Sequence, residues 1–211
     1  MFRFMISSNT TDPSAKSGGK TARPKGPKKA TPAYLERAAL FYLERYASST
    51  ANLRRILMGK VTRSARHHGT DPEAGAEAVE DLLARFQRSG LLDDRAYAEG
   101  RAVTLHRAGH SLPAIRARLA QKGVDADAID AALARLHEEA AAPELAAALR
   151  YVRKRRLGPY RTTGRAANRE RDLAALARKG FGFDLARRVI DAEDIAALED
   201  EADIQPGPLG L

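Results

Sequence analysis

The sequence has no cysteine and no tryptophan, and aromatic residues make up only 6% of its 211 residues. The absence of cysteine excludes disulfide bonds, thiolate metal sites and cysteine nucleophiles. Valine and isoleucine are scarce, and no segment alternates apolar and polar residues as a half-buried strand does. Alanine and leucine are prominent among the hydrophobic residues, so the composition predicts an all-α protein with an aliphatic core.

Long apolar runs are missing as well. No stretch approaches the ~18 consecutive apolar residues of a membrane span. Residues 1–6 are too short for the apolar part of a secretory signal, and polar residues follow them without a cleavage pattern. We therefore expect a cytoplasmic protein that does not contact membranes.

The net charge of +9 is concentrated in separate blocks. Residues 1–33 hold seven Lys or Arg and one Asp, and residues 150–171 hold nine Lys or Arg and one Glu. Residues 191–211 hold seven acids and no base. A basic block favours binding to a polyanionic partner, and a solvated face balanced by the acidic C-terminal segment is the alternative.

Residues 1–30 are rich in Ser, Thr, Gly, Pro and Lys and have almost no apolar residues after Ile6. Such a segment buries too little surface to offset the entropy of ordering, so we predict a disordered basic leader. A solubilising role is favoured over contact with an anionic partner, and both readings stay open.

An internal repeat organises the rest of the chain. Residues 111–136 are typical of two short helices, with Ser111 as N-cap and Gly123 as the stop between them. Lys122-Gly123 recurs as Lys179-Gly180, and a fainter copy lies 62 residues earlier, with Val61 in place of the glycine. The first copy is therefore predicted to extend its middle helix to about His68.

Each copy follows another helical pattern, so the repeating unit is predicted to have three helices. The chain is divided into a leader at 1–30, repeats at 31–90, 91–141 and 142–192, the last of them basic, and an acidic tail at 193–211. Units of this kind stack into a helical array and bury together what one unit leaves exposed. Chance similarity in an Ala- and Leu-rich sequence is the alternative.

Helical periodicity also selects the core. The predicted core residues are Leu53, Leu57, Leu83, Phe86, Ile115, Leu119, Ile129, Leu133, Leu173 and Leu176. Tyr42 and Tyr46 share a stripe, and a core position is favoured for both over stacking on nucleobases.

Two polar pairs invite a chemical interpretation. Asp93 and Asp94 follow a glycine-leucine-leucine junction, and helix capping is favoured over magnesium binding because no further acids converge on them. His67 and His68 lack a second pair of ligands at a fitting spacing, so a metal site is not expected. No nucleophile–base pair or phosphate loop is recognisable, which predicts a protein that is not an enzyme and needs no cofactor.

Three segments resemble the RecX family of RecA regulators. They are residues 39–45 in the first unit (ALFYLER), residues 90–98 at the first junction (GLLDDRAYA) and residues 115–125 in the central unit (IRARLAQKGVD). The resemblance covers about residues 34–190. The first unit departs from the pattern at Val61 and at residues 63–70, and the leader is not part of it.

The resemblance implies three tandem three-helix repeats in an elongated, curved, right-handed array. It also implies a regulator that binds the groove of the RecA filament on single-stranded DNA, inhibits its ATPase, strand-exchange and coprotease activities, and has weak direct affinity for DNA. We expect a monomer. A general nucleic-acid-binding helical module that acts without RecA is the alternative function.

Basic residues supply the candidate contacts with the partner, because guanidinium groups match phosphate and carboxylate well. The candidates are Arg116, Arg118 and Lys122 in the central unit, and Arg153, Lys154, Arg155, Arg156, Arg165 and Arg169 in the third.

Overall fold

The computed structural model describes residues 26–139 and 141–203. Ten α-helices and no strand occur in these residues, which confirms the all-α prediction. The helices are α1 (Pro32–Leu43), α2 (Thr50–His68), α3 (Pro72–Arg88), α4 (Asp94–Arg107), α5 (Leu112–Gln121), α6 (Ala126–Glu139), α7 (Pro143–Arg155), α8 (Arg169–Arg178), α9 (Phe183–Asp191) and α10 (Ile195–Glu201). Short 3₁₀ turns at Gly158–Tyr160 and Ala166–Asn168 lie between α7 and α8. None of these helices is long and apolar enough to cross a membrane.

Side-chain caps set the helix starts, as the sequence predicts. The Asp93 carboxylate accepts a hydrogen bond from the Ala96 amide at 2.9 Å, so it caps α4. The Asp125 carboxylate caps α6 by accepting from the Ala128 amide at 2.7 Å. Each bond satisfies a first-turn amide that has no partner within its own helix.

Helices α1–α3, α4–α6 and α7–α9 form three groups, each around its own hydrophobic cluster, and α10 adds to the third. The clusters run from Leu35 to Leu92, from Ala98 to Leu136 and from Leu145 to Ala202. All ten residues that periodicity assigned to the core are buried in them. The chain is thus a row of three small cores, as expected for a repeat array.

Equivalent hydrogen bonds join successive units. The Ser111 hydroxyl at the start of α5 donates to the Lys179 carbonyl at the end of α8, at 2.8 Å. One unit earlier, the Ser49 hydroxyl at the start of α2 donates to the Lys122 carbonyl at the end of α5. At each junction, one serine therefore caps its own helix and also bonds to the next unit.

A second bond recurs at both junctions. The Thr50 amide donates to the Asp94 carboxylate at 2.7 Å, and the Leu112 amide donates to the Glu144 carboxylate at 2.8 Å. In each case an acidic side chain from the first helix of one unit satisfies a free amide in the unit before it. Asp94 thus bridges two units, whereas Asp93 is the cap.

The repeated Lys-Gly pair follows from this packing. Gly123 and Gly180 have φ values of 73° and 86°, in the left-handed region that favours glycine. A Cβ on Gly180 would lie 2.8 Å from the Ser111 hydroxyl oxygen. Both the backbone conformation and the close approach of the preceding unit therefore require glycine at this position.

The first unit departs from the repeat where the sequence does. α2 continues through Val61 and ends at His68, as predicted. Val61 is 1% exposed and packs against Gly75 of α3, where a Cβ would lie 2.6 Å from its Cγ1 atom. The longer α2 is thus accommodated by a close crossing with α3.

The prediction of a core position for Tyr46 is wrong, because α1 ends at Leu43 and the Tyr46 side chain is 58% exposed. Tyr42, one turn earlier and within the helix, is partly buried. Tyr46 instead leans against Tyr42, with 5.1 Å between the ring centroids.

Both ends of the described chain pack on the repeats. The Ala30 amide donates to the Ser64 hydroxyl at 2.9 Å, so residues 26–30 lie against α2. α10 covers the third core through Leu198 and Ala202. Of the leader for which disorder was predicted, at 1–30, residues 1–25 lie outside the described residues, as does the last part of the acidic tail at 204–211.

Candidate functional site

The end of α7 presents the basic run that the sequence singled out. Lys154, Arg155 and Arg156 are exposed, and Arg156 ends the helix in the left-handed conformation with φ of 52°. Arg153 is partly buried and lies 3.8 Å from the Glu199 carboxylate of α10. The acidic tail therefore folds back on one edge of this run and leaves the other three cations facing solvent.

Arg155 also lines a cleft on the third unit that no single segment of the sequence reveals. Arg161, Arg171 and Arg178 line the same cleft, around the carboxylate of Asp172. Arg171 and Arg178 lie on α8, Arg155 on α7 and Arg161 between the two helices. Packing of α7 against the following segment thus brings four guanidinium groups to one surface.

Asp172 is buried beneath this cleft and holds its walls together by hydrogen bonds. Its side chain is 1% exposed, and Arg161 donates two hydrogen bonds to it, at 2.6 and 2.7 Å. The Gly158 amide donates a third, at 2.9 Å. These bonds, first of all those from Arg161, hold the pKa of Asp172 below its usual value.

The other three arginines of the cleft are exposed to solvent and can bind an anionic group. Arg155, Arg171 and Arg178 are exposed, and none forms an ion pair with a carboxylate of the residues that the structure describes. A cleft lined by three such groups carries a positive potential that attracts phosphate or carboxylate.

Two of the candidate contacts in this unit are engaged internally. Arg165 donates to the carbonyl oxygens of Ile190 and Ala192, at 2.8 and 2.6 Å. Arg169 donates two bonds of 2.7 Å to Asp191, and these raise the pKa of Arg169. Arg165, just before α8, and Arg169, its first residue, thus tie this region to the end of α9, and their contact with a partner stays a prediction.

The three candidate residues of the central unit do not form one surface cluster, and each has different neighbours. Arg116 pairs with Asp130 of α6. Arg118 is exposed and lies close to His110, where Lys179 of the next unit also contributes positive charge. Burial, together with these cations, lowers the pKa of His110. Lys122 points to the preceding unit, with its Nζ atom 3.4 Å from the Asn52 side-chain oxygen.

A second cleft lies between the first and second units. Tyrosine and basic side chains share its lining: Tyr42, Tyr46 and Tyr97 with Arg45, Arg101 and Lys122. Tyr42, Tyr46 and Lys122 are recognisable as candidates in the sequence, whereas Tyr97, Arg45 and Arg101 are not. The only sequence signal for Tyr97 is its place in the junction segment at residues 90–98.

Neither cleft has the composition of a metal centre. In the described part of the chain, no three His, Asp or Glu side chains are grouped so that they could hold a metal ion. The His68 Nε2 atom lies 2.6 Å from the Pro27 carbonyl oxygen and donates to it. His68 therefore anchors the segment that precedes α1.

Comparison with known proteins gives a consistent result. The family model described as RecX, second three-helix domain, matches residues 93–133. The chain is 44% identical over 171 residues to a protein from Myxococcus xanthus (strain DK1622) named Regulatory protein RecX, a match covering 80% of this chain and 90% of that protein. A protein of the same name from Streptomyces lividans is 30% identical over 200 residues, covering 90% of this chain and 98% of the relative.

A solved structure supports the architecture. The chain superposes on a crystal structure of regulatory protein RecX with a TM-score of 0.52 and 23% sequence identity, over 75% of this chain and 70% of that one. At this level of identity the similarity concerns the fold, and it agrees with an arrangement of three-helix repeats.

Proposed function

The chain belongs to the RecX family of regulatory proteins, and from this premise we propose that it binds the RecA filament on single-stranded DNA and suppresses its activities. The observation that carries the proposal is the 44% identity to a named RecX protein over 80% of the chain. Suppression extends to the ATPase, strand-exchange and coprotease activities, which places the protein in control of recombinational repair and the SOS response in the cytoplasm.

The basic cleft of the third unit supports a polyanionic partner. Arg155, Arg171 and Arg178 face solvent there without carboxylate partners among the described residues. A filament of protein on DNA presents phosphates and acidic side chains, and guanidinium groups pair well with both. We assign the electrostatic part of the contact to this cleft, together with the exposed Lys154 and Arg156.

The repeat architecture supports contact with more than one RecA protomer. Successive units are joined by the serine–carbonyl and amide–carboxylate bonds of both junctions. Contacts on different units are thus held at fixed separations, and simultaneous contacts strengthen one another. The protein inhibits by binding one state of the filament better than the active one, because equal binding of both states shifts nothing. No catalytic step is required.

Charge reversal of the cleft tests the proposal. The variant carries Arg155→Glu, Arg171→Glu and Arg178→Glu, and its control carries Arg37→Glu, Arg63→Glu and Arg66→Glu. The control residues are exposed arginines of the first unit outside both clefts, so the change in net charge is the same. Cosedimentation with RecA filaments should be lost for the first variant and retained for the second.

Two results contradict the proposal in different ways. Equal loss of cosedimentation in both variants would show that net charge, and not the cleft, attracts the filament. Wild-type protein that cosediments with single-stranded DNA but binds no better when RecA coats it would favour the alternative, a general nucleic-acid-binding module that acts without RecA.

A further inference from the structure

The cleft between the first two units combines aromatic rings with cations. Tyr42 and Tyr46 come from the end of α1 and the residues after it, and their ring centroids are 5.1 Å apart. Tyr97 of α4 lines the cleft from the second unit. Aromatic residues are only 6% of the sequence, so three tyrosines at one junction are a marked local concentration.

A buried polar side chain holds the floor of this cleft in place. Asn52 is 5% exposed, and its amide nitrogen donates to the Ser48 hydroxyl at 2.8 Å and to the Tyr42 hydroxyl at 3.3 Å. Its carbonyl oxygen accepts from Arg55 at 2.8 Å and faces Lys122 at 3.4 Å. The position of the Tyr42 ring and of the Lys122 ammonium group is therefore fixed by the protein before any ligand arrives.

The charge of the lining has one sign. Arg45, Arg101 and Lys122 line the cleft, and no Asp or Glu does. Two acids lie next to lining residues in the sequence or the fold. The Asp94 carboxylate accepts from the Thr50 amide, and the Glu44 carboxylate lies 3.9 Å from Arg45 and partly balances its charge. Arg101 is exposed and forms no ion pair within the described residues.

Aromatic faces beside cations, with Arg101 exposed and without an ion pair in the described residues, fit one class of ligand. Proteins bind single-stranded nucleic acid by stacking bases on aromatic rings while Lys and Arg follow the phosphates. A negatively charged peptide would also be attracted by the cations, but its acidic side chains would gain little from three tyrosine rings. Every nucleobase, in contrast, has a π-face that can stack on such a ring. We propose that this cleft binds an unstacked nucleobase of single-stranded DNA or RNA against Tyr46 and Tyr97, with Arg101 contacting the adjacent phosphate.

This site is distinct from the basic cleft of the third unit. The proposal rests on the proposed function only because a RecA filament would present such a strand. It further predicts that the protein binds the strand when RecA is absent. Binding of a base at the junction of two units would also add contacts to both of them, so the strand would stabilise the junction.

Fluorescence anisotropy with the full chain tests the site. The probes are a labelled oligo(dT) and an abasic oligonucleotide of the same length, which has the same phosphates but nothing to stack. Wild-type protein should prefer the base-bearing strand about tenfold, and Tyr46→Ala should remove most of that preference. Tyr46→Phe keeps the ring and should retain it. Phe183→Ala, at an aromatic side chain that is 66% exposed in the third unit, is the matched control.

Substitution of the cation gives an independent readout. Arg101→Gln should weaken both strands equally and lower the slope of log affinity against log salt by about one, because one phosphate contact is lost. Thermal unfolding of each variant alone shows that a loss of binding is not a loss of folding.

Three results would overturn the assignment. One is a wild-type protein without preference for the base-bearing strand, and another is a Tyr46→Ala variant that binds like Phe183→Ala. The third is a Tyr46→Ala variant with unchanged binding to oligo(dT) but reduced inhibition of RecA, which would make the cleft a protein contact. RecA inhibition by wild-type protein is measured separately, so failure of this site leaves the proposed function standing.

Discussion

The Ser111 hydroxyl donates to the Lys179 carbonyl at 2.8 Å, across the junction of the second and third units. The same oxygen accepts from the Ala114 amide at 3.2 Å and thereby caps α5. Ser49 makes the equivalent pair of contacts at the first junction. One small polar side chain thus caps a helix and joins two units, which couples local folding to the arrangement of the array.

Removal of this hydroxyl should destabilise the whole protein. Ser111 is 0% exposed, so Ser111→Ala loses a cap and a bond between units, and we expect unfolding to become easier by about 2 kcal/mol. Urea denaturation followed by circular dichroism measures the change. Ser89→Ala is the control, because Ser89 is exposed and donates only within its own turn, to Phe86. Equal costs for the two variants would show that the junction bond contributes nothing.

Glycine substitutions separate backbone strain from helix propensity. Gly180→Ala forces a side chain into φ of 86° and against the Ser111 hydroxyl oxygen, 2.8 Å away, and should cost about 2 kcal/mol. Gly59→Ala lies within α2 with nothing within 4 Å of the new Cβ, and should stabilise by about 0.5–1 kcal/mol. Both values come from the same urea titration. A neutral Gly180→Ala would contradict the close approach of the two units.

The buried carboxylate of the third unit should be needed for stability. Asp172→Asn leaves Arg161 without its charged partner, and we expect a loss of about 3 kcal/mol near neutral pH. The native pKa of Asp172 is depressed, so its contribution is present above the ordinary value of 3.8 and is lost as pH falls through the lowered pKa. The variant should lack this acid-dependent loss. Glu170→Gln changes a carboxylate that is 84% exposed and should shift stability by less than about 0.5 kcal/mol.

His106 should make the junction of the second and third units sensitive to mild acid. Its Nε2 atom donates to the Pro143 carbonyl at 2.7 Å, and Arg150 donates to its Nδ1 atom at 3.3 Å, so the neutral ring is the one that fits. Burial, and after it the neighbouring Arg150 and Arg107, lower the pKa of His106.

The sign of the pH effect follows from that shift. Below pH 6.5, the ordinary pKa, His106 of the unfolded chain binds a proton, whereas native His106 stays neutral until the pH reaches its lowered pKa. The free energy of unfolding therefore decreases as the pH falls from 6.5 to the lowered pKa. His106→Gln, which still donates and accepts, should flatten this part of the profile of unfolding free energy against pH. His67→Gln, at an exposed residue, should leave it unchanged. Identical profiles for the two variants would contradict the assignment.

Patterns within one segment were readable from the sequence. Periodicity correctly identified the ten aliphatic and aromatic residues from Leu53 to Leu176 as core, although it failed for Tyr46, and the recurring Lys-Gly pair marked the places where units meet. The substitution of Val61 correctly indicated a longer middle helix. These features depend on helix geometry and on the conformational freedom of glycine, and both act locally.

Features that depend on packing between segments were not readable. Asp172 is an ordinary acid in a helical pattern, and only the fold brings Arg161 and Gly158 to it. Arg165 looks like a surface cation in the sequence, yet it donates to two carbonyl groups near the end of α9. Tyr46 and Tyr97 share a cleft because two units stack, which spacing along the chain does not encode.

The most direct test of the proposed function is the RecA ATPase on single-stranded DNA, titrated with this protein. Inhibition that is complete well below one copy per RecA, at concentrations where the protein leaves naked DNA unbound, is the predicted result, because the proposed mechanism has each copy contact several protomers. Inhibition that begins only when the DNA itself is coated would contradict it, and the chain would then act on nucleic acid without recognising RecA.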